Sequence, residues 1–310
     1  MSVSASDMSY RRAVSGDLPA IIDLCRVALR WPDDPRNEQL FRWKHLENPF
    51  GASPMWVAEC DGRLVGFRAM MRWQFRSPAG VRRAVRAVDT ATHPEFQRRG
   101  IFAALNRLAI DALTKEGVDF VFNTPNAESL PGYLKQGWVE LGRVAIVARP
   151  TGFRGVLAMP SALGKASKWS EPLDAGTGVD LAHPHGVDTM LLSTDTSAAF
   201  FHWRYASGPV AYRALSDSGA GLVIRLRNRG RAKELVVAHS WGTEVVVARL
   251  LKEALRASRA SYAVGTAHAP GHSIMVPLPP IGPHLTVRAL ASPAPSMAEF
   301  GLLLGDVELF

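Results

Sequence analysis

The stretch that most constrains this chain is Thr90-Ala-Thr-His-Pro-Glu-Phe-Gln97-Arg-Arg-Gly100-Ile-Phe-Ala-Ala-Leu105. It reads as the end of a strand, a short basic turn with one glycine, and the start of a helix. Ile101, Ala104, Leu105, Leu108, Ala109 and Leu113 recur at helical spacing and carry that helix to about Lys115. This order turns free backbone N–H groups toward one point at a positive helix end, an arrangement that suits a pyrophosphate.

The residues before the turn read as a strand at Tyr10–Val14, a helix from about Leu18 to Leu29 and a second helix from Asn37 to Leu46. Asn48-Pro49 closes the second helix, because proline disfavours helix in the residue before it. A hairpin follows, Met55–Cys60 and Arg63–Phe75 about the turn Asp61-Gly62, and then a strand over 82–92. After the turn helix, Val118–Phe122 is a short strand, Asn126–Gln136 a turn with a short helix, and Trp138–Ala148 a final strand.

From Arg149-Pro150 to about Gly186 the composition shifts to Pro, Gly, Ser and Ala, which reads as a linker with one short helix. The second half then echoes the first. Phe41-Arg-Trp43-Lys-His45…Asn48-Pro49 matches Phe201-His-Trp203-Arg-Tyr205…Gly208-Pro209, and Leu64-Val65 matches Leu222-Val223. A strand at Glu234–Ala238 again leads into a helix, about Glu244–Leu255, and strands at Tyr262-Ala-Val and Leu285-Thr-Val-Arg complete that half. The expectation is two divergent copies of one fold.

Bulk properties narrow the function classes. A chain of 310 residues, 47% hydrophobic and 21% charged, suits a globular protein of two domains. No apolar run approaches the roughly 18–20 residues that span a bilayer, Met1–Asp7 lacks a signal-peptide layout, and only Cys25 and Cys60 occur. A cytoplasmic protein with no membrane partner is therefore expected. The net charge of +8 is spread along the chain, without a basic tail or basic–aromatic alternation, so nucleic acid is not an expected partner. A phosphate-rich small ligand accounts for Arg98-Arg99 more economically.

With these motifs laid out, residues 8–148 resemble the GCN5-related N-acetyltransferase (GNAT) superfamily. The element order is similar, and Gln97-Arg-Arg-Gly100-Ile-Phe102 follows the family's [QR]-x-x-G-x-[GA] turn except at the sixth position, where Phe102 replaces a small residue. Asn126-Ala-Glu-Ser129-Leu-Pro-Gly-Tyr133-Leu-Lys-Gln-Gly137-Trp138 follows N-x-x-[AS]-x-x-x-Y-x-x-x-G-[FW] at every marked position. The tandem layout resembles bacterial proteins with a catalytic GNAT module and a degenerate second one.

The resemblance implies an α+β fold of two GNAT-like modules, each a mostly antiparallel mixed sheet flanked by helices. Residues 1–150 would be the catalytic domain, 151–186 the linker and 187–310 the degenerate module. It implies acetyl-CoA or another acyl-CoA as co-substrate, no metal, and a small-molecule amine acceptor that attacks the thioester directly. Gln97, Arg98, Arg99, Gly100, Ile101, Phe102 and Ala103 would hold the pyrophosphate, and Thr90, Ala91 and Thr92 would meet the pantetheine. Asn126 and Ser129 would contact the cofactor's arm, and Tyr133 would be the general acid. Asp89, His93 and Glu95 lie near in sequence, and nothing in the sequence selects a general base among them. A homodimer is compatible with the second module supplying a surface.

Two other readings compete. Ala238-His-Ser240-Trp-Gly242 before a helix resembles an α/β-hydrolase nucleophile elbow, with Glu253 and His268, His272 or His284 as partners for Ser240. The hairpins preceding it argue against that sheet. A chain with one intact site could also be a non-catalytic acyl-CoA-binding sensor. His183-Pro-His185 and the late histidines lack ligand spacing for a metal.

Overall fold

A computed structural model describes residues 8–174, 176 and 190–307. The first half runs β1 (Met8–Arg12), α1 (Leu18–Ala28), α2 (Arg36–Leu46), β2 (Met55–Cys60), β3 (Arg63–Ser77), β4 (Gly80–Thr92), α3 (Ile101–Lys115), β5 (Phe120–Asn123), α4 (Leu130–Leu134) and β6 (Val139–Arg143). Then come β7 (Ile146–Pro150), α5 (Gly152–Ala158), β8 (Ser193–Thr194) and α6 (Ala198–His202), the last running into a π-helical turn at Trp203–Ser207. The chain continues with β9 (Arg213–Asp217), β10 (Ala220–Arg229), β11 (Ala232–Trp241), α7 (Glu244–Ser258), β12 (Tyr262–Thr266), β13 (Val276–Pro277), β14 (His284–Ala289) and α8 (Leu304–Val307).

These elements build a mixed α/β fold of two sheets flanked by helices. One sheet has the order β1-β2-β3-β4-β5-β14-β6, with β8 continuing the β2 edge of β3; the other has the order β13-β7-β12-β11-β10-β9. Among the described strands only β4–β5 and β11–β12 pair in parallel, each joined by a crossover helix, α3 or α7. Helices α1 and α3 cover opposite faces of the first sheet: Ile21, Ile22 and Cys25 pack on Val57 and Phe67, while Ile101, Leu105 and Ala109 pack on Ala58 and Met70.

Two strands depart from the sequence expectation. The segment 138–148 is not one final strand. It is β6 in the first sheet and β7 in the second, with Val144 and Ala145 between them. Conversely, β14 from the far end of the chain lies between β5 and β6 of the first sheet. Each sheet thus takes a strand from the other half, and the chain does not divide between sheets at residue 150. Part of the expected linker is also ordered against the second sheet, where the N–H groups of Ser167 and Glu171 donate to the carbonyls of Asn228 and Leu226 on β10.

The repeat noticed in sequence meets itself in space. Trp43 and Trp203 stack at 4.6 Å, and each indole N–H donates to the other's backbone carbonyl, at 2.8 and 3.0 Å. This reciprocal pair lies in a core shared by both sheets, with Trp73 and Phe122 of the first half and Phe200, Val236 and Tyr262 of the second. The β3–β4 and β10–β11 hairpins each carry a bulge, at Asp89 and at Ala238. Matching the bulges sets Val223 against Arg68, three residues from the Val65 pairing expected from sequence, and sets Ala238 against Asp89.

Candidate active site

Strand β4 leaves its parallel neighbour β5 after the Arg86–Phe122 pair, while it stays hydrogen-bonded to β3 as far as Thr92. The two strands splay, and the gap is a cleft of about 330 Å³ whose walls include Asp89, Thr90, Asn126, Ser129 and Tyr133. Four residues assigned from sequence therefore share one cavity: Thr90, Asn126, Ser129 and Tyr133. Ala91 is buried against α1, and Thr92 pairs with Gly66.

The basic turn stands at the end of the same strand. Gly100 is the N-cap of α3 at φ +78°, in the left-handed region where glycine is unstrained, and Arg98 is also left-handed at φ +62°. Gln97, Arg98, Arg99, Gly100 and Ala103 are exposed, Ile101 is buried, and the first intrahelical bond runs from Ala104 N–H to the Gly100 carbonyl at 3.0 Å. The N–H groups of residues 101–103 consequently have no partner within the helix. Gly66 lets α3 lie this close to β3: a Cβ there would sit 2.4 Å from Ile101 Cγ2.

Phe102, the departure from the family pattern, turns inward. Its ring meets Tyr133 edge-on at 5.4 Å and lies 5.7 Å from the Arg68 guanidinium. It couples the first turn of α3 to α4. Asn126 caps the α4 approach, its Oδ1 accepting from the Ser129 N–H and hydroxyl, both at 2.8 Å. Trp138 supports Tyr133 at 5.2 Å, and Arg288 of β14 lies over Trp138 and donates to the Gln136 carbonyl. The far half of the chain thus props the helix that carries Tyr133.

Tyr133 is only 5% exposed, and its hydroxyl accepts a 2.7 Å hydrogen bond from Arg68 Nη1, which also donates to Thr90 Oγ1. Arg68 was not singled out from sequence: an arginine in a strand carries no motif. The Lys44–His45–Asp89 cluster was missed for a similar reason, since a bulge has no sequence signature here. Lys44 Nζ and His45 Nε2 (2.8 Å) both reach Asp89 Oδ2, and His45 Nδ1 contacts Ser53 Oγ at 2.8 Å. Burial opposes the charge on Asp89, but the Lys44 ammonium and the His45 hydrogen bond outweigh it and hold the carboxyl below its usual range.

The three residues left open as a base are now distinct. Asp89 lines the cleft. His93 is engaged beneath the turn, with Arg63 Nη2 at 2.6 Å from Nε2 and the Glu95 N–H on Nδ1 at 3.4 Å. The Glu95 side chain is 72% exposed and faces Arg63 and His93.

Burial is the largest influence on His45 and His239, and it pushes both imidazoles down; His239, also near Arg204, is pushed down to about 3. Both are neutral in the fold, so as pH falls below about 6.5 the unfolded chain takes up protons that the folded chain does not. Stability is full above that value and declines toward pH 3. Urea melts at pH 7.5 and pH 5 are expected to differ by at least about 2 kcal/mol, the contribution of His239 alone; equal stabilities would contradict the buried neutral histidines.

Ser240 does not sit at a strand-to-helix elbow. It lies inside β11 opposite Leu222 and donates to the Pro270 carbonyl at 2.9 Å, while Glu253 pairs with Arg249 on the exposed face of α7. The antiparallel β10–β11 pair removes the hydrolase geometry. At the start of α7 the Glu244 carboxylate accepts the N–H groups of Gly271 and Ser273, at 2.7 and 2.8 Å. Among the described residues no group of three or more His, Cys, Asp or Glu could hold a metal, and no helix is long and apolar enough to cross a membrane. His183 and His185 lie outside the described residues.

Residues 9–140 match the family model described as an acetyltransferase (GNAT) domain. The fold is similar to that of a conserved protein of unknown function from Enterococcus faecalis V583, described as a probable N-acyltransferase, with TM-score 0.68, 9% identity, and coverage of 92% of this chain and 73% of that one. It is also similar to GCN5-related N-acetyltransferases from Kribbella flavida (TM-score 0.64, 11% identity, 92% and 72% covered) and Anabaena variabilis (0.62, 10%, 92% and 73%). No curated protein matches the chain. Residues 9–140 are thus similar to a GNAT acetyltransferase domain, and the fold is similar to that of proteins described as GCN5-related N-acetyltransferases.

Proposed function

We propose that the protein is an acyl-CoA-dependent N-acyltransferase that moves an acetyl or related acyl group to a small-molecule amine. The observation that carries this reading is the meeting of an anion-ready helix end and a buried tyrosine hydroxyl at one splayed strand. The exposed turn 97–103 suits the pyrophosphate through its free N–H groups and the helix dipole, and Arg98 and Arg99 add charge. The open edge of Thr90–Thr92 suits the pantetheine amides, with the thioester then near Tyr133.

In this reading a neutral amine attacks the thioester carbonyl, the C–N bond forms, and negative charge develops on the carbonyl oxygen. The C–S bond then breaks, and Tyr133 delivers its proton to the departing sulfur. Asp89, held ionised by Lys44, is a weak base but suits orienting an amine N–H in the cleft, with the proton passing to water. Asn126, whose Oδ1 is committed to Ser129, has its amide N–H groups for the cofactor's arm. The second half reads as a degenerate module: no cation stands at Val223 and no carboxylate at Ala238. Its part is then to shape the cleft, through Arg288 and through residues 306–307, whose carbonyls accept from Arg86 on the cleft floor.

The test is acyl-CoA titration together with thiol release across a panel of amines. Saturable binding with amine-dependent thiol release is expected. Tight binding with no release on any amine would favour a sensor instead.

A further inference from the structure

Arg68 is the most deeply buried charge beside the cleft. It is 0% exposed, among the described residues no carboxylate pairs with it, and its Nε and Nη2 have no hydrogen-bond partner. Taking a guanidinium out of water without a counter-ion costs several kcal/mol. A methionine or leucine would fill the same space between Phe102 and Tyr133 at no such cost, so packing alone does not account for an arginine there.

What the charge does is visible in its one engaged nitrogen. Nη1 donates to both Thr90 Oγ1 and Tyr133 Oη, and both residues line the cleft. A hydroxyl that accepts a bond from a cation, which can accept nothing in return, must point its own proton elsewhere. The Tyr133 ring has no freedom to escape this, being packed by Phe102 on one side, Trp138 on another and the guanidinium at 5.3 Å. One buried cation therefore turns two O–H donors away from itself and leaves both protons available to a partner other than β3.

We infer that Arg68 is a positioning residue for acyl transfer, acting through Tyr133; this rests on the acyltransferase reading above. When the tetrahedral intermediate collapses, the C–S electron pair goes to sulfur and the Tyr133 proton follows it. The phenolate left behind is paired with the guanidinium in a charge-assisted hydrogen bond until solvent reprotonates it. In the second half Val223 stands at the matching register, and the buried cation that meets a tyrosine hydroxyl there, Arg204 on Tyr212 at 2.9 Å, comes from a helix rather than from the corresponding strand.

The deciding experiment is a double-mutant cycle on acetyl-CoA turnover with whichever amine the panel identifies. Arg68→Met is expected to lower kcat by about 30-fold with KM for acetyl-CoA held within about threefold. In the Tyr133→Phe background the same change is expected to lower kcat less than about threefold, because the group it positions is gone. Arg68→Lys repeats the cycle with the buried charge kept and only the fork lost, and it decides the matter if the methionine variant does not fold. Equal losses in both backgrounds, or a loss confined to KM, would overturn the inference while leaving the acyltransferase reading intact. A wild type that binds acetyl-CoA and releases no thiol overturns both.

Discussion

Replacing Gly100 with Glu is expected to weaken acyl-CoA binding by at least about 100-fold, equivalent to about 2.7 kcal/mol, while leaving the fold in place. Two effects combine. Gly100 sits at φ +78°, where a side chain costs about 1 kcal/mol, and a carboxylate at the N-terminus of α3 opposes the pyrophosphate. A Cβ at this position meets open space, so no steric overlap obstructs folding. Gly100→Ala separates the contributions: it carries the backbone strain without the charge and is expected to bind within about threefold of wild type. Isothermal titration with acetyl-CoA measures both variants. Undiminished affinity in the Glu variant would remove the anion site from the turn.

The second large effect is expected at Tyr133. Tyr133→Phe deletes one oxygen from a ring held by Phe102 and Trp138, so packing is kept and only the hydroxyl chemistry is lost. We expect kcat to fall about 100-fold, the usual contribution of a general acid, with KM for acyl-CoA within about threefold. Thiol release followed against amine concentration provides both constants. A variant with full kcat across pH would assign the proton to another donor. Arg68 also loses one of its two acceptors in this variant, so a small loss of stability is expected alongside, readable in the same urea melts.

How far the site was legible from sequence depended on whether its groups are local. Turn 97–103 is one continuous stretch, and its glycine, its basic pair and the helical period after it all bear on the same backbone conformation. The Asn126–Trp138 stretch is likewise local: Asn126 holds Ser129 at the start of the helix that presents Tyr133, and Trp138 packs against that ring. Phe102 was the discordant residue there. The family pattern has a small residue at this position, whereas here the ring turns inward and packs onto Tyr133. The cluster around Asp89 and the cation at Arg68 were not legible, because each joins strands and helices far apart in the chain through a bulge that composition does not mark.

The hydrophobic period, the Asp-Gly hairpin turn, the repeated Phe-x-Trp helix and the two site motifs follow from the residues alone, since each is a local preference of the backbone. What only the tertiary structure decided is which half owns which strand. A strand's period describes its two faces and says nothing about the neighbour to which its edge is hydrogen-bonded, so β7 and β14 could exchange sheets without a trace in sequence. The same exchange carries Arg288 against Trp138, and the carbonyls of Asp306 and Val307 meet Arg86. The second half thereby supports, from behind, the cleft that the first half's motifs describe.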